Sequence, residues 1–205
     1  MNKKILLFDY DGVIADTLEI YAELFVDACN AHGYPQINSK EEFLKLFENN
    51  LYDSMMSIGI NEGEIKKILG YLKVVSMKHQ GRIVLFHGMK EVLSVLSQKN
   101  KIIIITSNIT EVVENFLKIQ NVQYDDIIGA DKELSKIKRI ESVKSKYQNV
   151  DYYYIGDTKG DMIEGKQAGV KTVAVTWGWH NIDKLKEANP DYIVRTPEEL
   201  LELFR

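Results

Sequence analysis

Four consecutive isoleucines at positions 102–105 restrict the folds that this chain can adopt. Their side chains are β-branched and do not alternate with polar ones, a pattern typical of a strand covered on both faces in a parallel sheet. Short apolar runs recur along the chain with helical patterns between them, and this alternation is typical of βαβ units. We therefore predict an α/β fold in which helices flank a parallel sheet. Its strands are predicted over residues 4–8, 101–106, 126–129, 152–156, 171–176 and 191–194.

Residues 16–83 contain no convincing strand pattern. Their apolar positions follow helical spacing, as Leu18, Tyr21 and Phe25 show. Extra helices packed on the same core are one interpretation, but so long a stretch without a strand buries its own apolar side chains more easily than it extends a sheet. We therefore predict a separate helical insert over residues 16–83, within an α/β core formed by residues 1–15 and 84–205.

The charge and the cysteine content of the chain indicate which kinds of binding partner and which cellular compartment to expect. The 205 residues include 26 Lys and Arg against 30 Asp and Glu, a net charge of −4, so no basic surface indicates nucleic-acid binding. No stretch approaches the roughly 18 apolar residues of a membrane span. The single cysteine, Cys29, excludes a disulfide within the chain and is typical of a reducing compartment. We expect a cytoplasmic protein without a nucleic-acid or membrane partner, and the sequence does not indicate an oligomeric state.

Two acidic pairs follow predicted strands. Asp9 and Asp11 come after the first strand, and Asp157 and Asp161 come after the strand at 152–156. Ligands of open α/β sheets bind beyond the carboxyl ends of the strands, so four carboxylates would converge there if these two strands are neighbours. Their mutual repulsion would cost several kcal/mol for each close pair. A hard divalent cation would remove that cost, so the sequence predicts a metal site, and we expect Mg²⁺ there.

The first acidic pair has the residue types that phosphoryl transfer needs. In an extended chain Asp9 and Asp11 point the same way, and Gly12 lets the backbone turn close to an anion. One carboxylate can attack phosphorus, while the other protonates the leaving oxygen and then deprotonates a water molecule. Two aspartates at this spacing are a weak signal alone, because calcium loops and glycosyltransferases share it.

Two later segments supply groups that can hold a phosphate. Thr106, Ser107 and Asn108 end the isoleucine strand, where a hydroxyl and backbone N–H groups can bind a phosphate oxygen, although simple capping of the next helix would explain them too. Lys136, at the start of a helical pattern, is predicted to neutralise the phosphoryl group and the attacking carboxylate. Lys132 is the rival for that role.

Taken in order, these motifs resemble those of the haloacid dehalogenase superfamily of phosphohydrolases. The resemblance runs from residue 5 to about residue 180 and is greatest to its phosphoglycolate phosphatase-like members. It implies a Rossmann-like core and a helical cap of the class named C1 at residues 16–83. The resemblance further implies that Asp9 is the nucleophile and a metal ligand, and that Asp11 is the general acid/base and binds the metal through its backbone carbonyl. It implies that Thr106 contacts the phosphoryl group and that Lys136 stabilises charge. It also implies that Asp157 and Asp161 hold Mg²⁺, and Asp161 would do so either directly or through water.

The predicted function is therefore that of a Mg²⁺-dependent phosphatase, which hydrolyses a small phosphomonoester through an aspartyl-phosphate. Residues 15–81 contain no arginine, although some relatives use one to bind a substrate carboxylate or a second phosphate. Residues 48–52 are a candidate specificity element by position alone. A phosphosugar mutase of the same fold is the alternative enzyme. The alternative that is not an enzyme is a protein that accepts a phosphoryl group or binds a ligand without catalysing repeated turnover.

Overall fold

A computed structural model describes residues 4–204 of the chain, and six of its strands form one parallel sheet. Each of these strands agrees with a predicted one to within one residue at either end, so the predicted α/β fold is confirmed. The strands are Lys4–Phe8 (β1), Lys101–Ile105 (β4), Asp126–Ile128 (β5), Asp151–Gly156 (β6), Lys171–Val175 (β7) and Tyr192–Val194 (β8). Their order across the sheet is β5-β4-β1-β6-β7-β8.

The central position of β1 sets the place of the site. Phe8 pairs with Ile104 of β4 on one side and with Ile155 of β6 on the other. After β1 the chain forms β4 and β5 on one side of it, and it then forms β6 on the other side. The carboxyl end of β1 is therefore the topological switch point, where open α/β sheets bind ligands.

Both faces of the sheet are buried, which explains the runs of isoleucine without polar alternation. Leu6 and Ile104 face one apolar layer, whereas Leu7 and Ile103 face the other. Successive side chains of a strand point to opposite faces, so a strand covered on both sides is apolar at every position. The covering helices are Met89–Ser97 (α5), Thr110–Ile119 (α6), Lys136–Lys146 (α7), Lys159–Gln167 (α8), Ile182–Lys186 (α9) and Pro197–Phe204 (α10).

The predicted helical insert contains four α-helices and lies between two short strands. Ala15–Asp16 (β2) pairs antiparallel with Val84–Leu85 (β3), so the chain enters and leaves the helical segment side by side. A strand of two residues is too short to produce an alternating pattern, and sequence reasoning therefore missed both. The helices are Leu18–Ala31 (α1), Lys40–Lys45 (α2), Leu51–Ser57 (α3) and Glu62–His79 (α4).

One apolar cluster continues from the sheet into this segment, from Phe8 to Phe25 and Phe43. The division into a core of 1–15 and 84–205 and a cap of 16–83 stays a prediction, and residues 1–3 and 205 lie outside the described chain. Over residues 4–204, no helix combines the length and the apolar character needed to cross a bilayer.

Candidate active site

Neighbouring strands bring the two acidic pairs together at one edge of the sheet. Asp9 follows β1 and Asp157 follows β6, and the Asp9 N–H donates to the Ile155 carbonyl at 2.8 Å. One carboxylate oxygen each of Asp9, Asp157 and Asp161 lies within 4.8 Å of the others, and all three residues are buried. The Asp11 side chain is not in this group but lines the same cavity as Asp9 and Asp157.

Lys136 lies among these carboxylates, whereas Lys132 does not. The Lys136 ammonium donates to Asp9 Oδ2 at 3.0 Å and to Asp161 Oδ1 at 2.5 Å, with 5% of its side chain exposed. The Lys132 side chain is 64% exposed and pairs with Asp131. The structure therefore places the preferred lysine in the candidate site and its rival at the surface, while the catalytic role of Lys136 stays a prediction.

One ammonium does not neutralise the acidic group. Burial raises the pKa of Asp9 to about 7, with Lys136 acting against that shift and the charges of Asp161 and Asp11 adding to it. Burial raises the pKa of Asp11 to about 6. The pKa of Asp157 lies well above its usual range because of burial and the charges of Asp161 and Asp9. Three of the four carboxylates thus hold protons more tightly than in water.

Asp161 differs from the other three carboxylates in the direction of its pKa shift, because both of its oxygens accept hydrogen bonds. Oδ2 accepts from the Thr158 hydroxyl at 2.7 Å and from the N–H groups of Thr158 and Asp157, and this forms a capping box at the start of α8. Oδ1 accepts from Lys136 and from the Tyr154 hydroxyl. Burial alone would raise the pKa of Asp161, but Lys136 and these hydrogen bonds bring it below the ordinary value.

Asp157 has one oxygen free for a further ligand. Its Oδ2 accepts from the backbone N–H of Trp179 at 2.6 Å, whereas Oδ1 is buried and has no hydrogen-bond partner among residues 4–204. A buried, unpartnered carboxylate oxygen is costly unless a cation or donor satisfies it. Three clustered carboxylates with such an oxygen fit a hard divalent cation.

Two glycines allow the backbone to pack directly against Asp157. Gly12 has a φ of +76°, and a Cβ at Gly12 or Gly178 would overlap the Asp157 carboxylate. Any side chain at these positions would displace Asp157 or the loop beside it. The sequence analysis did not identify the contact of Gly178 with Asp157.

The strand-end residues of β4 surround Asp11. The Asn108 side-chain amide donates to Asp11 Oδ2 at 3.2 Å and also contacts the Tyr21 hydroxyl. Thr106 Oγ1 lies 3.5 Å from Asp11 Oδ2 and accepts the Asn108 N–H at 3.0 Å, so that N–H already has a partner. Ser107 lines the cavity. The predicted phosphate contacts of Thr106, Ser107 and Asn108 are therefore at the site, and their roles stay predictions.

Sequence reasoning missed a buried cation beneath Thr106. Arg139 is 1% exposed and donates to the carbonyls of Thr106 and Leu134, so it fixes the end of β4. It lies three residues after Lys136 on α7, the spacing that puts two helical residues on the same face. That spacing was the available signal, but the sequence analysis considered only the lysines Lys132 and Lys136 of this segment.

The helical segment also reaches the site through residues 48–52. The Tyr52 hydroxyl donates to the Ser107 carbonyl at 2.7 Å. The Asn50 amide donates to Glu164 of α8 at 2.5 Å, and Glu164 is 4% exposed. These residues therefore connect the helical segment to both sides of the site, while their role in specificity stays a prediction.

Two cavities adjoin this region. The cavity above Asp9 measures about 50 Å³ and is lined by Asp9, Asp11 and Asp157. A wider groove of about 1020 Å³ runs between α4 and residues 130–138, and none of the four predicted aspartates lines it. The smaller cavity is therefore the candidate active site.

A parallel sheet with buried carboxylates and a lysine at its switch point defines an α/β enzyme with a polar site beyond the strand ends. The chain belongs to the haloacid dehalogenase-like hydrolase family, whose model matches residues 6–175. This confirms the family resemblance and the predicted phosphohydrolase class.

Named relatives match over nearly the whole chain. A pyrophosphatase PpaX of Halalkalibacterium halodurans is 25% identical, over 99% of this chain and 97% of the relative. A phosphoglycolate phosphatase of Synechococcus elongatus is 25% identical, over 96% and 95%.

Solved structures share the fold. A hydrolase from Pseudomonas syringae superposes with a TM-score of 0.79 at 18% identity, covering 98% of this chain and 97% of that one. A haloacid dehalogenase-like family protein from Streptococcus pneumoniae gives a TM-score of 0.76 at 22% identity, covering 99% of each chain.

Proposed function

We propose that this protein is a Mg²⁺-dependent phosphatase that hydrolyses a small phosphomonoester through an aspartyl-phosphate on Asp9. The observation that carries the proposal is the position of Asp9, which lines the cavity, pairs with Lys136 and adjoins Asp157 and Asp161. The names of the two relatives, a pyrophosphatase and a phosphoglycolate phosphatase, support a small phosphorylated substrate.

The proposed reaction has two displacements. In the first, an Asp9 oxygen bonds to phosphorus as the ester P–O bond breaks, and Asp11 gives its proton to the leaving oxygen. In the second, water attacks the phosphorus, Asp11 takes a proton from that water, and the bond to Asp9 breaks to release inorganic phosphate. Asp11 suits this alternation because burial raises its pKa to about 6 and because its buried Oδ1 has no hydrogen-bond partner in the part of the chain that the structure describes.

Several residues hold the phosphoryl group in this proposal. Thr106, Ser107, Asn108 and the backbone at Gly12 contact its oxygens, and Lys136 offsets their charge. The helical segment acts as a cap that excludes water while the phosphoryl group is transferred. The contacts of Asn50 and Tyr52 with residues of the core support this role.

Asp9, Asp157 and Asp161 are the proposed Mg²⁺ ligands, together with the backbone carbonyl of Asp11. Because both oxygens of Asp161 already accept hydrogen bonds, Asp161 is proposed to act through water. When bound, Mg²⁺ would neutralise charge on the phosphoryl oxygens.

The metal-free protein is expected to lose stability as the pH rises from about 4 to about 7. An acid whose pKa is higher in the folded state binds protons preferentially there, so deprotonation of Asp9 and Asp11 lowers the free energy of unfolding over this range. The raised pKa of Asp157 acts in the same direction. His180 opposes this, because burial lowers its pKa and its protonation destabilises the fold at low pH. Mg²⁺ should therefore raise Tm more at pH 8 than at pH 5, and calorimetry would measure both values.

Asp157→Asn tests the same site with a single change. It removes one buried carboxylate, so the metal-free Tm at pH 8 should rise, and the Mg²⁺ concentration for half-maximal stabilisation should increase at least about tenfold. Asp183→Asn, at an exposed carboxylate, is the matched control and should change neither quantity. An unchanged Mg²⁺ titration in Asp157→Asn would show that this carboxylate is structural.

Turnover of p-nitrophenyl phosphate and glucose 1-phosphate, with and without Mg²⁺, tests the proposed function. We expect inorganic phosphate from the first substrate only when Mg²⁺ is present. Formation of glucose 6-phosphate instead would identify a mutase, and phosphorylation without turnover would identify a phosphoacceptor. The cytoplasmic location and the absence of nucleic-acid or membrane partners stay predictions.

A further inference from the structure

We propose that the leaving group of the substrate is an uncharged, apolar alcohol, either aryl or short branched alkyl. This inference rests on the proposed phosphatase function and names its substrate class. It differs from both named relatives, because pyrophosphate and phosphoglycolate each carry a second negative group on the side that leaves.

One wall of the cavity is apolar. The cavity of about 50 Å³ is bounded there by side chains from the helical segment and from the loop after β7. Burial of apolar surface of a substrate here is favourable by roughly 25 cal/mol for each Å². Six of the lining side chains are Phe25, Phe43, Phe47, Leu51, Leu72 and Trp179.

Interlocked aromatic rings fix this wall in place. Phe47 and Trp179 have ring centroids 4.8 Å apart at an interplanar angle of 88°, and Phe43 and Trp179 lie 5.3 Å apart. Phe25 packs on Phe43 at 5.1 Å. The backbone N–H of Trp179 donates to Asp157 Oδ2, so this residue of the aromatic wall is held beside the acidic group. A substrate therefore meets a shaped apolar surface directly beside the reacting atoms.

No lysine, arginine or histidine lines the cavity within residues 4–204. Lys136 is already bound to Asp9 and Asp161. Lys78 of the helical segment is exposed. The other lysines of that segment form exposed ion pairs, which are Lys40–Glu19, Lys45–Glu42, Lys66–Glu62, Lys67–Glu64 and Lys73–Glu111.

The unpartnered polar atoms of the cavity do not suit an anion either. Asp11 Oδ1 and Asp157 Oδ1 belong to the groups proposed for proton transfer and for Mg²⁺, and Trp179 Nε1 is an uncharged donor, so none of them is a cation for a charged leaving group. A carboxylate or second phosphate in this cavity would be buried without a cation, at a cost that pairing would otherwise remove. A neutral apolar group has no such cost.

Two matched substrate pairs test the inference on the protein with Mg²⁺. Phenyl phosphate is compared with 4-carboxyphenyl phosphate, and isobutyl phosphate with 2-phosphoglycolate. We expect kcat/KM to favour the uncharged member of each pair at least about tenfold. In the aryl pair the carboxylate makes the phenol a better leaving group, so intrinsic reactivity works against the expected result.

A charge introduced into the wall should reverse the preference. Leu69 is half-buried on α4 and lines the cavity, so Leu69→Lys should raise kcat/KM for 2-phosphoglycolate and reduce the preference for isobutyl phosphate about tenfold. Val74→Lys, at a 55% exposed position of the same helix, is the matched control and should leave both values unchanged.

The results with the four esters distinguish a failure of the leaving-group inference from a failure of the proposed phosphatase function. Equal or faster hydrolysis of the charged member of both pairs by the natural protein would overturn the inference and leave the phosphatase function standing. Phosphate release from none of the four esters would overturn the proposed function and the inference with it. If Leu69→Lys does not fold, as judged by circular dichroism, the two substrate pairs alone decide.

Discussion

Asp9→Asn is expected to lower the rate of phosphate release at least about 10³-fold, the largest effect of any single change at this site. An amide oxygen is a far weaker nucleophile than a carboxylate, so the aspartyl-phosphate would not form. The change keeps the shape of the side chain and removes one of the mutually repelling charges at a position that is 7% exposed. The variant should therefore fold, and circular dichroism and Tm would show it.

Asp16→Asn is the control for this experiment, because Asp16 lies a few residues further along the chain and is exposed. It should release phosphate at the rate of the natural protein. A variant at Asp9 that keeps its turnover would remove Asp9 as the nucleophile, whatever its effect on stability.

The second large effect is expected for Lys136→Ala, in both activity and stability. The ammonium is buried between Asp9 and Asp161, so its removal leaves two carboxylates without their cation. Breaking a buried ion pair by removing one partner typically costs about 3–5 kcal/mol. Loss of one charge-stabilising group typically lowers kcat about 10²- to 10³-fold. Denaturant unfolding and phosphate release would measure the two effects separately.

Lys132→Ala is the matched change, since Lys132 is the rival lysine and lies at the surface. An exposed ion pair contributes at most about 1 kcal/mol, so this variant should be close to the natural protein in both measurements. The opposite result, with activity lost in Lys132→Ala and kept in Lys136→Ala, would contradict the assignment of Lys136 to the site.

The six strands of the main sheet could be predicted from the sequence because both faces of that sheet are buried. The strands β4 and β6 therefore consist mainly of uninterrupted isoleucine and tyrosine runs. Both ends of each run can be located in the sequence. The pairing of β2 with β3 could not be predicted, since two residues in each strand show no periodicity.

The positions of candidate-site residues could be predicted where those residues follow the ends of predicted strands. Asp9, Asp157 and Asp161 meet because parallel strands end at one edge of the sheet. Arg139 and the Asn50–Glu164 contact were not predictable, because they depend on how distant helices pack. Asn50 and Glu164 are 114 positions apart, and no local pattern records such a contact.

The aromatic cluster of Phe43, Phe47 and Trp179 also joins the helical segment to the sheet. Trp179 is half-buried, and its backbone N–H donates to Asp157 beside the reacting groups. A movement of the helical segment away from the sheet would therefore separate the rings of Phe43 and Phe47 from its indole. The fluorescence of Trp179 would report such a movement without an added label.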